Sequence, residues 1–273
     1  MPNAERDKLW ERFATAKVYD LSHPLGQQMP VSPNHPGFRL ALLRRHGDRV
    51  RADGGSAANE LMVLGGHSGT HLDALFHVSH NGLLFGGANA AEAQQGGMFR
   101  LLGAETIDPI LCRGVMLDIP AALGIETLDP GAPITIQDLQ AALTRQKIDI
   151  RKGDAVLVRS GWPKYWQDTE KFVGLTGGAP GINQDAAVWL ARQGIRITGA
   201  ETIAYEWIPP GQGHALLPVH KVFLVDHGIH IIEVLDLSEL ARDQVSEFFF
   251  IVTPLKITGA TGVPVRPLAV IAA

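Results

Sequence analysis

The chain has 273 residues, a formal charge of -4 at pH 7 and 45% hydrophobic residues. That length fits one large or two small domains, the composition is ordinary for a globular protein, and the mild acidity argues against nucleic acid as a partner. A single cysteine, Cys112, excludes an intrachain disulfide and fits a reducing compartment. No apolar run approaches the roughly 18 residues needed to span a bilayer, and the polar start lacks a signal-peptide core, so a cytoplasmic protein free of membrane is expected.

In chain order, residues 1–16 are expected to form a helical arm. Leu9, Trp10 and Phe13 are spaced for one helical face, and Asn3 is a candidate cap. Residues 67–77 read as a strand or strand-to-loop segment. Thr135-Ile-Gln-Asp138 has the form of a capping box with Asp in place of Glu, opening a helix to about Lys147. Gly153 to Ser160 reads as a buried strand around Ala-Val-Leu-Val. Asn183 caps a second helix carrying Val188, Trp189 and Leu190, ended by Gly194, and Ile195 to Thr198 is the next strand. Residues 245–271 hold several β-rich runs broken by Gly and Pro. With no repeat and no linker-like shift in composition, one α/β domain over 1–273 with a mixed sheet is expected.

The segment His67-Ser-Gly-Thr-His71-Leu-Asp73-Ala-Leu-Phe-His77 carries the most information. Three imidazoles and one carboxylate fall within eleven residues of a chain that holds 11 His in all. Imidazole nitrogen and carboxylate oxygen are the ligand types that zinc and manganese accept. A helix would align His67 with His71, but Gly65, Gly66 and Gly69 disfavour it, and Asp73 would fall off that face. In an extended chain residues 67, 71, 73 and 77 share parity and project to one side. His67, His71 and Asp73 are therefore the candidate ligands. Two His and one Asp leave coordination positions open for water and a substrate carbonyl, and a neutral His77 beside them is suited to proton transfer near pH 7.

This run resembles the H-x-G-T-H-x-D-x-P-x-H signature of the cyclase family of metal-dependent hydrolases, which includes bacterial kynurenine formamidases and isatin hydrolases. His67, Gly69, Thr70, His71, Asp73 and His77 match in order and spacing; Leu75 stands where the signature has Pro. Further similarity lies in Tyr19–Pro24, Gly153–Trp162, Pro180-Gly-Ile182, His220, Glu233–Leu237 and Pro254–Leu268. The resemblance implies a mixed-sheet, barrel-like core flanked by helices, the swivelling β/α/β-type fold of that family. It implies hydrolysis of an amide, often in a ring, with His67, His71 and Asp73 holding Mn²⁺ or Zn²⁺ and His77 acting on the proton. In formamidase-like members Asp73 would bridge to a second ion held by a His and a Glu, for which His220 and Glu233 are the matches. Their separation is one residue longer than the formamidase pattern, which leans toward the isatin-hydrolase side and leaves one ion and two ions both open. A small-molecule substrate and a homodimer or homotetramer are also implied. A metal-dependent cyclase or dehydratase acting on a small organic acid, or a non-catalytic metal-binding protein, are the alternatives; a retained His77 counts against the last.

Four more residues are candidates for the substrate pocket. Phe76 and Trp162 are candidate aromatic walls, Arg159 a partner for a substrate carboxylate, and Glu201 an orienting group at a strand end. Of His214 and His220, the resemblance favours His220. His80, His227 and His230 read as solvated, Cys112 as buried packing, and the glycine-rich stretch 174–181 as a loop before the Asn183 helix, without the Lys-Ser/Thr of a phosphate loop.

Overall fold

The computed structural model describes residues 3–272 and builds nine strands into one curled, mixed sheet. The strands are β1 (Lys17–Asp20), β2 (His71–Asp73), β3 (Ile110–Asp118), β4 (Ala155–Arg159), β5 (Ile197–Ala200), β6 (His230–Glu233), β7 (Glu247–Val252), β8 (Gly262–Pro264) and β9 (Leu268–Ile271). Their order across the sheet is β1-β9-β7-β3-β4-β5-β6-β2-β8. The four central strands β3 to β6 run parallel, and every pairing outside them is antiparallel.

Parallel neighbours need crossovers, and helices supply them. α2 (Ile136–Gln146) links β3 to β4 and α3 (Gln184–Arg192) links β4 to β5. The expected capping box is present: Asp138 N–H donates to the Thr135 hydroxyl while the Asp138 carboxylate accepts from Thr135 N–H. Asn183 caps α3 by accepting from Ala186 N–H at 2.9 Å. A short helix Pro218–His220, continued by a π-helical segment Lys221–His227, precedes β6.

Alternation along the strands divides the apolar core in two. Val115, Leu117, Val156, Val158 and Ile231 face the helices, packing with Leu139, Ala142, Leu190, Phe223 and Leu224. Met116, Leu157, Ile197, Ile232, Phe248 and Phe250 face the opposite side, where the sheet closes over Leu72, Val263 and Leu235. Both faces are buried, so β4 reads as a continuous apolar run.

Three expectations shift. The strand expected at 195–198 occupies Ile197–Ala200 because Gly194, at φ +71°, extends the turn after α3. Only His71–Asp73 of the 67–77 segment is a strand. Gly69 has φ +60° and a Cβ there would meet Leu25 at 2.4 Å, so the chain turns just before His71 and His67 lies in that turn. α1 (Asn3–Ala14) begins with Asn3 itself rather than after it. Its Trp10 and Phe13 are exposed, while the side chain of Leu9 lies outside the described residues.

A candidate metal centre

The centre forms where β2 and β6 lie antiparallel. Their register pairs His71 with Glu233 and Asp73 with Ile231. His71 and Asp73 are two apart on β2, and Ile231 and Glu233 two apart on β6, so all four share the face that meets the helices. His71 Nε2 stands 3.3 Å from Glu233 Oε2 and 3.5 Å from Asp73 Oδ1. His67, returning from its turn, places Nδ1 2.8 Å from Asp73 Oδ1 and Nε2 3.0 Å from the Thr261 hydroxyl. The chain passes so closely that a Cβ on Gly262 would meet the His67 ring at 2.4 Å, which requires glycine opposite Asp73.

His220 arrives from the short helix before β6. Its Nε2 is 3.2 Å from Glu233 Oε1 and 3.6 Å from Asp73 Oδ2. His77 completes the cluster, its ring centroid 4.0 Å from that of His67 and 5.9 Å from that of His220. The structure thus brings together all six residues expected at the metal positions and at the proton-transfer position. Two sets of three can offer one donor each within 4.8 Å of one another: His67, Asp73, His77 and His71, Asp73, Glu233. Asp73 is common to both.

A cation fits these donors. Asp73 Oδ2 and Glu233 Oε1 are buried yet accept no hydrogen bond. Unpaired carboxylate oxygens at such depth are costly unless a cation compensates. The charges follow the same logic. The ring charge of His71 is opposed first by burial, but Glu233 and Asp73 outweigh it and raise its pKa to about 9. His220 is likewise raised, by Asp73, Glu206 and Glu233 against burial. The surrounding histidines hold Asp73 well below the usual carboxylate range despite its burial. Protons on these rings balance the carboxylates where an ion is not bound. His77 differs: burial is its dominant influence and lowers it to about 4, so its ring is neutral at pH 7.

The four expected pocket residues are engaged elsewhere. Phe76 is buried and packs on Phe99 at 4.1 Å between ring centroids. Arg159 donates to Asp118 at 2.7 Å in an ion pair on the adjoining strand. Trp162 is fully buried, and its indole N–H donates to the Phe172 carbonyl at 2.9 Å. Glu201 is fully buried and accepts the N–H groups of Ser160, Gly161 and Leu237, so it ties three chain segments together rather than orienting a ligand. All four have the chemistry of a pocket, but packing and fixed partners occupy them.

Other residues took roles that sequence patterning did not single out. His230 is not solvated; its Nδ1 bonds the Asp73 carbonyl at 2.9 Å and steadies β2. His35 stacks on His67 at 5.0 Å. His214 stays at the side, with Nδ1 3.5 Å from the Ser32 hydroxyl. Glu206, 1% exposed, contacts His220 Nδ1. Its one sequence signal is position: it is a lone carboxylate in an apolar context between Tyr205 and Trp207.

The fold is a mixed α/β sheet carrying a candidate metal centre, and comparison with known proteins places it in a family. The model of the putative cyclase family matches residues 19–207, more than half the chain. The chain belongs to the cyclase family. It is 26% identical over 262 residues to the isatin hydrolase of Roseibium aggregatum, covering 93% of this chain and 92% of that one. It is 23% identical over 254 residues to a kynurenine formamidase of Bacillus thuringiensis, covering 92% and 96%. A solved structure described as a novel cyclase superposes with a TM-score of 0.84 at 29% identity, covering 98% of this chain and 93% of that one. An isatin hydrolase bound to the product analogue thioisatinate shares the fold, with a TM-score of 0.74 at 23% identity over the whole of both chains. Among the described residues no helix is long and apolar enough to cross a membrane.

Proposed function

We propose that the protein is a metal-dependent hydrolase that breaks the amide C–N bond of a small substrate. The substrate is either a cyclic amide of the isatin type, which it opens, or an aryl formamide, which it deformylates. One observation carries this reading: two buried carboxylates with unpaired oxygens converge on the ring nitrogens of three histidines, His67, His71 and His220. The similarity, over more than nine-tenths of the chain, to an isatin hydrolase and to kynurenine formamidases supports it.

In this reading His67, His71 and Asp73 would hold one divalent ion, Mn²⁺ or Zn²⁺, and His220 and Glu233 would serve with Asp73 for a second where two are bound. An ion so held supplies Lewis acidity at the amide carbonyl and lowers the pKa of the attacking water. The chain supplies the rest. His77, kept neutral by burial, takes the proton of the water at a ring nitrogen and returns it to the departing nitrogen. A lactam thereby yields an amine and a carboxylate. The Thr261 hydroxyl, 3.0 Å from Nε2 of His67, and the Gly69 carbonyl, 2.7 Å from Nδ1 of His71, orient the two rings from behind and leave His67 Nδ1 and His71 Nε2 facing Asp73.

The reading includes a homodimer or homotetramer. Its support is a two-stranded ribbon, Arg39–Arg44 paired with Asn59–Val63, that exposes Leu40, Leu42, Leu61, Met62 and Val63. Such a ribbon is marginal alone, and an exposed apolar surface of this kind marks an association site. A cytoplasmic setting is supported by the free thiol of Cys112. The test is metal analysis of protein purified without chelator. Stoichiometric divalent ion supports the reading, and protein that neither retains nor takes up such an ion refutes it.

A further inference from the structure

Glu206 is buried to within 1% of complete exclusion, and its carboxylate is directed at a single turn of chain. Oε2 accepts Val219 N–H at 3.1 Å, and Oε1 accepts His220 N–H at 3.2 Å. The same Oε1 lies 2.5 Å from Nδ1 of the His220 ring. With Nδ1 directed at the Glu206 oxygen, Nε2 is the ring nitrogen left to face an ion, which would take the place of the proton that Nε2 otherwise carries. That Nε2 is the atom that stands 3.2 Å from Glu233 Oε1 and 3.6 Å from Asp73 Oδ2.

The fold goes to some lengths to seat this carboxylate. Tyr205, immediately before it, has φ +56°, a conformation a non-glycine residue adopts at a cost of about 1–3 kcal/mol. The Tyr205 hydroxyl is anchored at 2.6 Å to that of Thr198 on β5. On the other side, a Cβ on Gly181 would fall 2.3 Å from the Glu206 carbonyl carbon, and one on Gly178 would fall 2.3 Å from the Ile208 carbonyl oxygen. The glycine-rich stretch 174–181 therefore has a physical reason: it lets the chain around Glu206 pass at backbone contact distance.

We infer that Glu206 is the positioning residue of the centre, fixing His220 as its Nδ1–H tautomer and aiming its Nε2 lone pair at the space between Asp73 and Glu233. The inference rests on the reading of this cluster as a metal centre. A carboxylate behind a ligating histidine typically contributes 10- to 100-fold in metal affinity.

The test is Zn²⁺ affinity, measured by chelator competition on four full-length proteins: wild type, Glu206→Gln, His220→Ala and the double variant. Gln keeps the shape but must direct an amide N–H₂ at either the His220 ring or the Val219 N–H. Glu206→Gln is expected to weaken Zn²⁺ binding by about 10- to 100-fold, with no further loss in the His220→Ala background. Unchanged affinity in Glu206→Gln, or losses that add in the double variant, would overturn the inference, because Glu206 would then not act through His220. Near-UV circular dichroism reports on the fold. Should Glu206→Gln lose its native signal, Glu206→Asp, which keeps the charge but withdraws the acceptor, enters the same four-way comparison with the same expected outcome. Wild-type protein that binds no Zn²⁺ refutes the metal reading itself, whereas Zn²⁺ bound equally by wild type and Glu206→Gln refutes only the role of Glu206.

Discussion

Thr70 and Val234 are joined across the sheet just beyond the candidate ligands: the Thr70 hydroxyl donates to the Val234 carbonyl at 2.5 Å. Thr70 directly precedes His71 and Val234 directly follows Glu233, so one hydrogen bond ties the two ligand-bearing strands together. Val234 has φ +58°, an outlying conformation for a β-branched residue. The Thr70 oxygen also accepts His23 N–H at 3.0 Å, which anchors the segment after β1. Strain at the end of β6 is thereby held in place beside the functional cluster.

Thr70→Val removes the hydroxyl at nearly constant volume and leaves the Val234 carbonyl and the His23 N–H without partners. A loss of about 1–3 kcal/mol is expected for such buried groups, read as a lower urea midpoint, together with weaker metal binding. A change within about 0.5 kcal/mol, the range of neutral surface substitutions, would show that the tie does not hold the strands.

His77→Ala separates proton transfer from ligation. Turnover is expected to fall by about 10²- to 10⁴-fold, the usual contribution of a positioned acid–base group, while metal content stays that of wild type. Loss of metal alongside turnover would make His77 a ligand, as its place beside His67 and Asp73 also permits.

Gly262→Ala places a methyl group 2.4 Å from Cε1 of His67, so the ring must leave Asp73 and Thr261. Overpacking of this kind costs about 1–3 kcal/mol, and metal affinity is expected to fall with it. Thermal unfolding and metal titration of the variant measure both. Wild-type affinity in a folded variant would remove His67 from the set of ligands.

The pH dependence of stability should differ between metal-free and metal-loaded protein. His71 is raised from 6.5 to about 9, so its contribution is complete below pH 6.5 and is lost as pH rises through about 9. His77 is lowered from 6.5 to about 4, so its contribution is present above pH 6.5 and is lost as pH falls toward 4. Metal-free protein is therefore expected to melt at the highest temperature near pH 6.5 and at lower temperatures on either side. An ion replaces the proton on His71 and should abolish the alkaline decline. Melting curves with the same alkaline decline in both forms would contradict that exchange.

Much of the fold was legible because local signals and tertiary structure agree. Thr135 with Asp138, Asn183 as a cap, and the apolar run at 155–158 each dictate a short-range geometry that the fold retains. The donors were legible because four of the six lie in the 67–77 run, while His220 and Glu233 were found by resemblance to the family. Parity along an extended chain, however, was the wrong reason for their meeting. It holds for His71 and Asp73 on β2, whereas His67 and His77 reach the cluster from turns on either side, one of them set by Gly69. The pocket candidates are harder to read, because an aromatic or charged side chain near a strand end looks the same whether it faces a ligand or a core. Trp162, Arg159 and Glu201 are each held by partners 10 to 41 residues away, which no local pattern reveals. Glu206 was missed for the same reason: its partner His220 is fourteen residues on, beyond a loop.

The most direct test of the central claim is an assay of isatin and N-formylkynurenine hydrolysis by the same preparation before and after removal of divalent ions. The expected result is opening of the lactam or loss of formate that disappears with the metal and returns on adding Mn²⁺ or Zn²⁺. Hydrolysis that proceeds unchanged in metal-free protein would contradict the account.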